Sequence, residues 1–247
     1  MSARLTHTHH NGEVSAEAGA WRDSTRIFLQ PIAAPSILGL FGFAGATFMV
    51  ATHQAEWFGN PTSPTFLFPF AAMFGGLAQF LAGMWAYRAR DAVATAAHGT
   101  WGAFWLAYGI LNLLVATGDI TVPTGGKFVE LGYWFLVLAG ITTSIAIASL
   151  AESIGLFAVL STLAAGSAFT AIGFLTTGTT WEQVGGWVLI ASAVIAWYVA
   201  TAMLLASAWS RTVLPLGKFD KRANMPGMRP AYPIQFELGE PGVKHGQ

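Results

Sequence analysis

Charged residues are confined to short stretches of this 247-residue chain, and six long intervals contain none. Each interval can hold the roughly 20 apolar residues with which a helix crosses about 30 Å of hydrocarbon. The pattern therefore predicts six transmembrane helices, at about residues 35–53, 65–87, 95–115, 128–150, 153–175 and 183–209.

The overall composition excludes a water-soluble domain. Hydrophobic residues make up 54% of the chain and charged residues only 10%, which is too little polar surface to cover a globule of this size. Apolar runs such as FLFPFAAMFGGLAQFLAGMWAY lack the alternation of membrane β-strands. We predict an all-α integral membrane protein, a bundle of six transmembrane helices.

Several chemistries are excluded by residues that the sequence lacks. The chain has no cysteine, and its 12 basic residues balance 12 acidic ones, so thiolate metal sites, disulfides and a basic nucleic-acid surface are absent. The predicted helices carry no lysine for a retinal Schiff base and no HExxH motif. We predict that the protein is not an enzyme, that it has no cofactor or bound metal, and that it does not bind nucleic acid.

The chain divides into a membrane domain and two tails. We expect residues 1–33 to form a largely disordered cytoplasmic tail, residues 34–210 the membrane domain, and residues 211–247 a second cytoplasmic tail. The first tail contains a histidine cluster, His7, His9 and His10. A metal-binding role for the cluster is an alternative that the sequence leaves open.

The basic residues predict the orientation. Lys127 alone falls on one side of the six predicted helices, and the other 11 of the 12 basic residues fall on the side of the termini. Because basic loops stay in the cytoplasm, both termini are expected there. The expected location is the plasma membrane, or the inner membrane of a bacterium.

Few polar side chains lie deep in the predicted helices. His98 is the one plausible deep ionisable group, while Gln79 and Asn112 are neutral. Such residues line a solute path or hydrogen-bond between helices. Closely spaced glycines, including Gly39, Gly42 and Gly45 in the first helix, favour tight helix packing.

Two segments carry a family resemblance. GGLAQFLAGMWAYRARDAVATAAHGTWGAFWL at residues 75–106 and RTVLPLGKF at residues 211–219 resemble motifs of the acetate uptake transporters, also called the succinate–acetate permease or YaaH-type family. The resemblance spans residues 34–219. The chain departs from the family pattern in three places. Ala34 and Ile37 replace the asparagine and the second proline of an NPAPLGL motif, Ala86 replaces a common glutamate, and Trp101 replaces a tyrosine.

The resemblance implies a homohexamer in which each protomer has its own pore. It also implies an apolar constriction formed by Phe43, Trp101 and Leu163, and transport of small carboxylates, acetate first and succinate second. Further pathway candidates are residues at helix starts or with polar side chains, namely Pro35, Gly39, Gln79, His98, Thr100 and Asn112. Transport by a channel and transport coupled to a proton both remain open.

Two other functions are consistent with the same residues. Helices without charged side chains would also suit a facilitator for a small neutral solute such as ammonia or urea. A membrane scaffold or sensor that conducts nothing is the third hypothesis. Apart from the solute, membrane lipid and further copies of the chain are the partners that we expect.

Overall fold

The computed structural model describes residues 32–60, 62–123, 127–176 and 179–218. These ranges contain six helices that are long and apolar enough to cross a membrane, and no strand: α1 (Pro35–Gln54), α2 (Ser63–Ala89), α3 (Ala92–Thr117), α4 (Val129–Ser149), α5 (Ile154–Leu175) and α6 (Thr180–Trp209). The prediction of an all-helical membrane bundle is confirmed, and no predicted helix end differs by more than three residues. Most of the two predicted tails, with the histidine cluster, lies outside the described residues.

Local sequence explains where the helices on one end of the bundle begin. Pro35 occupies the first turn of α1, where its missing N–H costs nothing. The Asp91 carboxylate accepts a hydrogen bond from the Ala94 nitrogen at 2.8 Å, and the Ser153 hydroxyl accepts one from the Leu156 nitrogen at 3.2 Å. These two caps satisfy backbone donors that a helix start leaves unpaired.

Helix α2 is not a uniform α-helix. Its middle, Ala71–Ala78, is a π-helix, and Pro69 lies just before this segment. Proline cannot donate the backbone hydrogen bond of a regular turn, so the helix is already interrupted where the wider winding begins. The apolar pattern of the sequence indicates the span but does not reveal this change.

Glycines allow the first three helices to approach closely. A Cβ on Gly42 of α1 would lie 2.4 Å from the Phe74 carbonyl oxygen in α2. A Cβ on Gly83 of α2 would lie 2.7 Å from the Gly99 nitrogen in α3. Close packing therefore accounts for these glycines, whereas no atom of the described residues lies within 4 Å of the same position on Gly45.

The outer surface of the bundle is apolar. Large side chains such as Phe66 (73% exposed) and Ile147 (64%) point outwards. Trp181 near the start of α6 and Trp209 at its end are also exposed, as in the aromatic belts of membrane proteins. Such a surface matches a molecule surrounded by hydrocarbon or by further protein.

Candidate functional site

A cavity runs between α1, α3 and α5, with contributions from α2 and α6. Its free volume is about 30 Å³, enough for about two waters. Most of its wall is apolar, and no lysine or arginine is among the described residues that line it. A solute that enters must therefore exchange its water shell for neutral groups.

The structure brings together the three residues of the predicted constriction. Phe43 of α1, Trp101 of α3 and Leu163 of α5 all line this cavity, and each is only 2% exposed. We call these residues the apolar triad. Trp101 follows Phe43 by 58 residues in the sequence, and Leu163 follows Trp101 by 62. The packing of three helices brings them together, because each helix directs one of them inwards.

Two contacts orient the indole of Trp101. The ring packs edge-on to Phe43, with centroids 6.3 Å apart and planes at 68°. Its Nε1 donates a hydrogen bond to the Thr142 hydroxyl of α4 at 3.0 Å. The bond satisfies a buried donor and connects the apolar triad to a fourth helix.

Two predicted pathway residues present unpaired polar atoms in the cavity wall. Gln79 is 2% exposed and His98 is 4% exposed, and both line the cavity. Neither Gln79 Oε1 nor His98 Nδ1 has a hydrogen-bond partner among the described residues. An unpaired buried polar group costs free energy, so a water or polar solute in the cavity would be stabilised there.

The other predicted pathway residues do not line the cavity. Pro35 opens α1, and Gly39 packs on the His98 ring, where a Cβ would lie 2.5 Å from Cε1. The Asn112 side chain donates to the Tyr108 carbonyl of its own helix at 2.9 Å. Thr100 is half-buried beside the apolar triad residue Trp101 but is not part of the wall.

The polar residues at one end of the cavity were not predicted from the sequence. Helices α1, α3 and α5 begin at this end, and the wall here includes Ser36, Asp91, Glu152, Ser153 and Leu216. We call this set the cavity mouth. The two acidic residues lie in short links, so in the sequence they only mark the ends of helices. The one available signal was that Asp91 directly precedes α3 and suits its N-cap.

The pKa values of both carboxylates of the mouth are raised. Burial, together with the negative charge of Asp91, raises the pKa of Glu152 to about 7. Burial also raises the pKa of Asp91, but hydrogen bonds from the backbone of Ala94 and Val93 oppose the shift. The mouth therefore holds one group that changes charge near neutral pH.

The RTVLPLG motif lies against the mouth. The Ile154 nitrogen donates to the Gly217 carbonyl at 2.8 Å, and the Gly155 nitrogen donates to the Leu216 carbonyl at 2.9 Å. Gly217 has a φ of 67°, a conformation that favours glycine. Part of the segment predicted as a tail thus accepts hydrogen bonds from backbone N–H groups at the start of α5.

The opposite end of the bundle carries an ion pair instead. Lys127, before α4, pairs with Glu182 in the first turn of α6, and its Nζ also donates to the Gly173 carbonyl at 3.1 Å. These residues join the end of α5 to the starts of α4 and α6. They do not line the cavity.

A bundle of six membrane-spanning helices around a narrow, largely apolar cavity defines a multi-pass membrane protein of the transporter and channel class. The chain belongs to the GPR1/FUN34/yaaH family, whose profile matches residues 22–221. The resemblance seen in the sequence is thereby confirmed.

Characterised relatives and a solved structure agree with this assignment. The succinate-acetate/proton symporter SatP of Escherichia coli is 27% identical over 76% of this chain and 96% of its own length. Ammonia transport outward protein 2 of Saccharomyces cerevisiae is 30% identical over 68% of this chain, and the match spans 60% of that longer protein. The structure of the bacterial acetate channel SatP superposes with a TM-score of 0.69 at 26% identity, over 76% of this chain and all of that one.

Proposed function

We propose that this chain transports small carboxylates, acetate first and succinate second, through the cavity of each protomer, and that it is not an enzyme. The observation that carries the proposal is the convergence of the apolar triad with the unpaired polar atoms of Gln79 and His98 in one cavity. Membership of a family with acetate-transporting relatives supports acetate as the solute.

The wall of the cavity explains how a carboxylate could pass. At neutral pH a carboxylic acid is about 99% ionised, and the anion loses much hydration free energy among apolar side chains. Gln79 Oε1 is an acceptor without a partner among the described residues, so it suits the O–H of a neutral acid or a water that accompanies the solute. Weak binding of this kind favours fast flux at low affinity.

Outward transport of ammonia is the second candidate. It is favoured by the name of the yeast relative and by the lack of lysine and arginine in the described wall, since a neutral solute needs no counter-charge. The acetate proposal is preferred because the relative that aligns over 96% of its length transports succinate and acetate by name.

Flux into proteoliposomes separates the two candidates. The purified chain should raise uptake of labelled acetate above that of protein-free liposomes, and unlabelled succinate should compete. An ammonium gradient should alter the internal pH no faster than in protein-free liposomes. Ammonia flux without acetate uptake would support the second candidate instead, and flux of neither would support a scaffold.

The assembly and orientation are part of the proposal. We place the termini and the cavity mouth in the cytoplasm, in a plasma or bacterial inner membrane, because basic residues cluster at that end. A ring of six protomers is suggested by the family resemblance. An outward groove of α1 and α6, lined by Ala44, Phe48, Trp197 and Tyr198, offers an apolar surface for a neighbouring protomer or for lipid.

A further inference from the structure

The mouth of the cavity contains a titratable pair of carboxylates. Asp91 lies in the turn between α2 and α3, and Glu152 lies in the turn between α4 and α5. Both are half-buried and line the same cavity as the apolar triad. A solute that enters this cavity from the mouth therefore passes both carboxylates before it reaches Phe43, Trp101 and Leu163.

The two carboxylates have different surroundings. The Asp91 carboxylate caps α3 through the Ala94 nitrogen at 2.8 Å, and this bond stabilises its charged form. No described residue donates a comparable hydrogen bond to the Glu152 carboxylate. Glu152 is thus the member of the pair that accepts a proton more readily, and its pKa is raised to about 7 by burial and by the charge of Asp91.

Few other charged groups lie near the mouth among the described residues. On α2 and its turn, Arg90 precedes Asp91 and makes an interaction of its own. The segment after α6 brings Lys218, whose pKa burial lowers. His98 is the titratable residue that α3 contributes deeper in the cavity, while the wall residues of α1 and α6 are uncharged. Within the described part of the chain, Asp91 is the charged group whose effect raises the pKa of Glu152.

We propose that Glu152 is a proton-exchange residue at the cavity mouth, which gives its proton to an entering carboxylate so that the solute crosses the apolar triad as a neutral acid. In this step the O–H bond of Glu152 breaks and an O–H bond forms on the solute. Glu152 becomes a carboxylate and is protonated again from water at the mouth. The inference rests on the proposed transport of carboxylates.

The surroundings of the mouth support this exchange. Two negative carboxylates would repel an approaching anion, whereas protonation of Glu152 leaves one charge, at a place where three helix N-termini favour anions. Entry into the cavity removes water from the solute and raises its own pKa, as burial does for any carboxylic acid. Further in, the unpaired Gln79 Oε1 and His98 Nδ1, on side chains more than nine-tenths buried, are independent evidence for a polar occupant.

The pH dependence of uptake tests the role of Glu152. Initial rates of labelled acetate uptake into proteoliposomes are measured from pH 5.5 to 8.5, with protein-free liposomes subtracted. In the unmodified chain the rate should fall with a midpoint near 7, because Glu152 loses its proton there. Glu152→Gln should lower the rate at pH 6 by about 100-fold and abolish this midpoint, and Glu152→Asp should retain a pH-dependent rate.

Two further variants serve as comparisons. Asp91→Asn keeps an amide oxygen that caps α3 but removes the neighbouring charge, so the midpoint should move to lower pH. Glu182→Gln, at the other end of the bundle, should leave the midpoint unchanged. A wild-type pH profile in Glu152→Gln, or no shift in Asp91→Asn, would overturn the proposal while leaving carboxylate transport intact.

A spectroscopic measurement separates failure of this inference from failure of the proposed function. Infrared difference spectra of the detergent-solubilised chain should show a protonated carboxyl band that disappears as the pH rises through 7, and Glu152→Asp should shift this band. Absence of any such titration would overturn the assignment of Glu152 even if acetate is transported. A titrating Glu152 in a chain without acetate flux would mean that the solute proposal is wrong, and with it the proton exchange.

Discussion

Trp101 Nε1 donates a hydrogen bond to Thr142 Oγ1 at 3.0 Å, and both side chains are buried. The bond crosses from α3 to α4 and fixes the indole against Phe43. The position of the largest member of the apolar triad therefore depends on a helix that contributes no residue to the cavity wall among the described residues.

Removal of this acceptor should loosen the triad. Thr142→Val keeps the shape of the side chain but leaves the indole N–H unpaired, which should cost about 1–3 kcal/mol of stability and lower the midpoint of thermal unfolding in detergent. Thr143→Val is the matched control, because the Thr143 hydroxyl is exposed and bonds only within its own helix, to Ala139 at 2.8 Å. Equal midpoints for the two variants would contradict the role of Thr142.

The second prediction concerns the size of solute that passes the apolar triad. Leu163→Ala should admit bulkier carboxylates such as lactate while acetate uptake persists, because the truncation widens the cavity. Trp101→Tyr should move selectivity towards that of family members with tyrosine at this position. Competition by each acid for labelled acetate uptake measures both effects.

The alternative account treats Leu163 as an ordinary core residue. Truncation would then cost about 2–5 kcal/mol and reduce folded protein and all transport together. Leu136→Ala, on the exposed face of α4, is the control for general effects on yield. A well-folded Leu163→Ala variant with unchanged solute selectivity would remove Leu163 from the constriction.

Glycine packing in α1 gives a third prediction. Gly42→Ala would bring a methyl group to 2.4 Å from the Phe74 carbonyl oxygen, and the required shift of backbone should destabilise the bundle by about 1–3 kcal/mol. Gly45→Ala has open space and should be neutral or stabilising by up to about 1 kcal/mol, since alanine favours a helix. Thermal unfolding of the two single variants measures the contrast; equal stability would mean that Gly42 is not a close-contact position.

The sequence predicts the helices well because charge and hydropathy are local properties. Six spans separated by residues such as Arg88, Asp91 and Glu152 are visible without any knowledge of contacts. The apolar triad was accessible only through the family resemblance, since aromatic residues are common throughout this chain and packing alone explains most of them.

The mouth could not be predicted in the same way. Asp91 and Glu152 are separated by the whole of α3 and α4, and only the packing of these helices places both beside one cavity. The π-helical segment of α2 was also missed, because the apolar residues of Ala71–Ala78 fit a membrane span with either winding. For Thr100 and Asn112, the sequence indicated polarity but not the face of α3 that lines the cavity.

The fourth prediction concerns topology. The excess of basic residues at one end predicts that both termini are cytoplasmic, and the six described helices return the chain to the side on which it begins. A fused reporter enzyme that is active only outside the cytoplasm should be silent at either terminus. Activity at one terminus alone would require an odd number of spans.

Conduction through the cavity is tested most directly by a thiol in the apolar triad, because the chain has 0 cysteines and any single cysteine is unique. Leu163→Cys should react with methyl methanethiosulfonate, as followed by the mass of the intact protein, and labelled acetate uptake should fall at least severalfold and recover on reduction. Leu136→Cys should react without loss of uptake. Complete modification of Leu163→Cys with unchanged acetate flux would contradict passage of the solute between Phe43, Trp101 and Leu163.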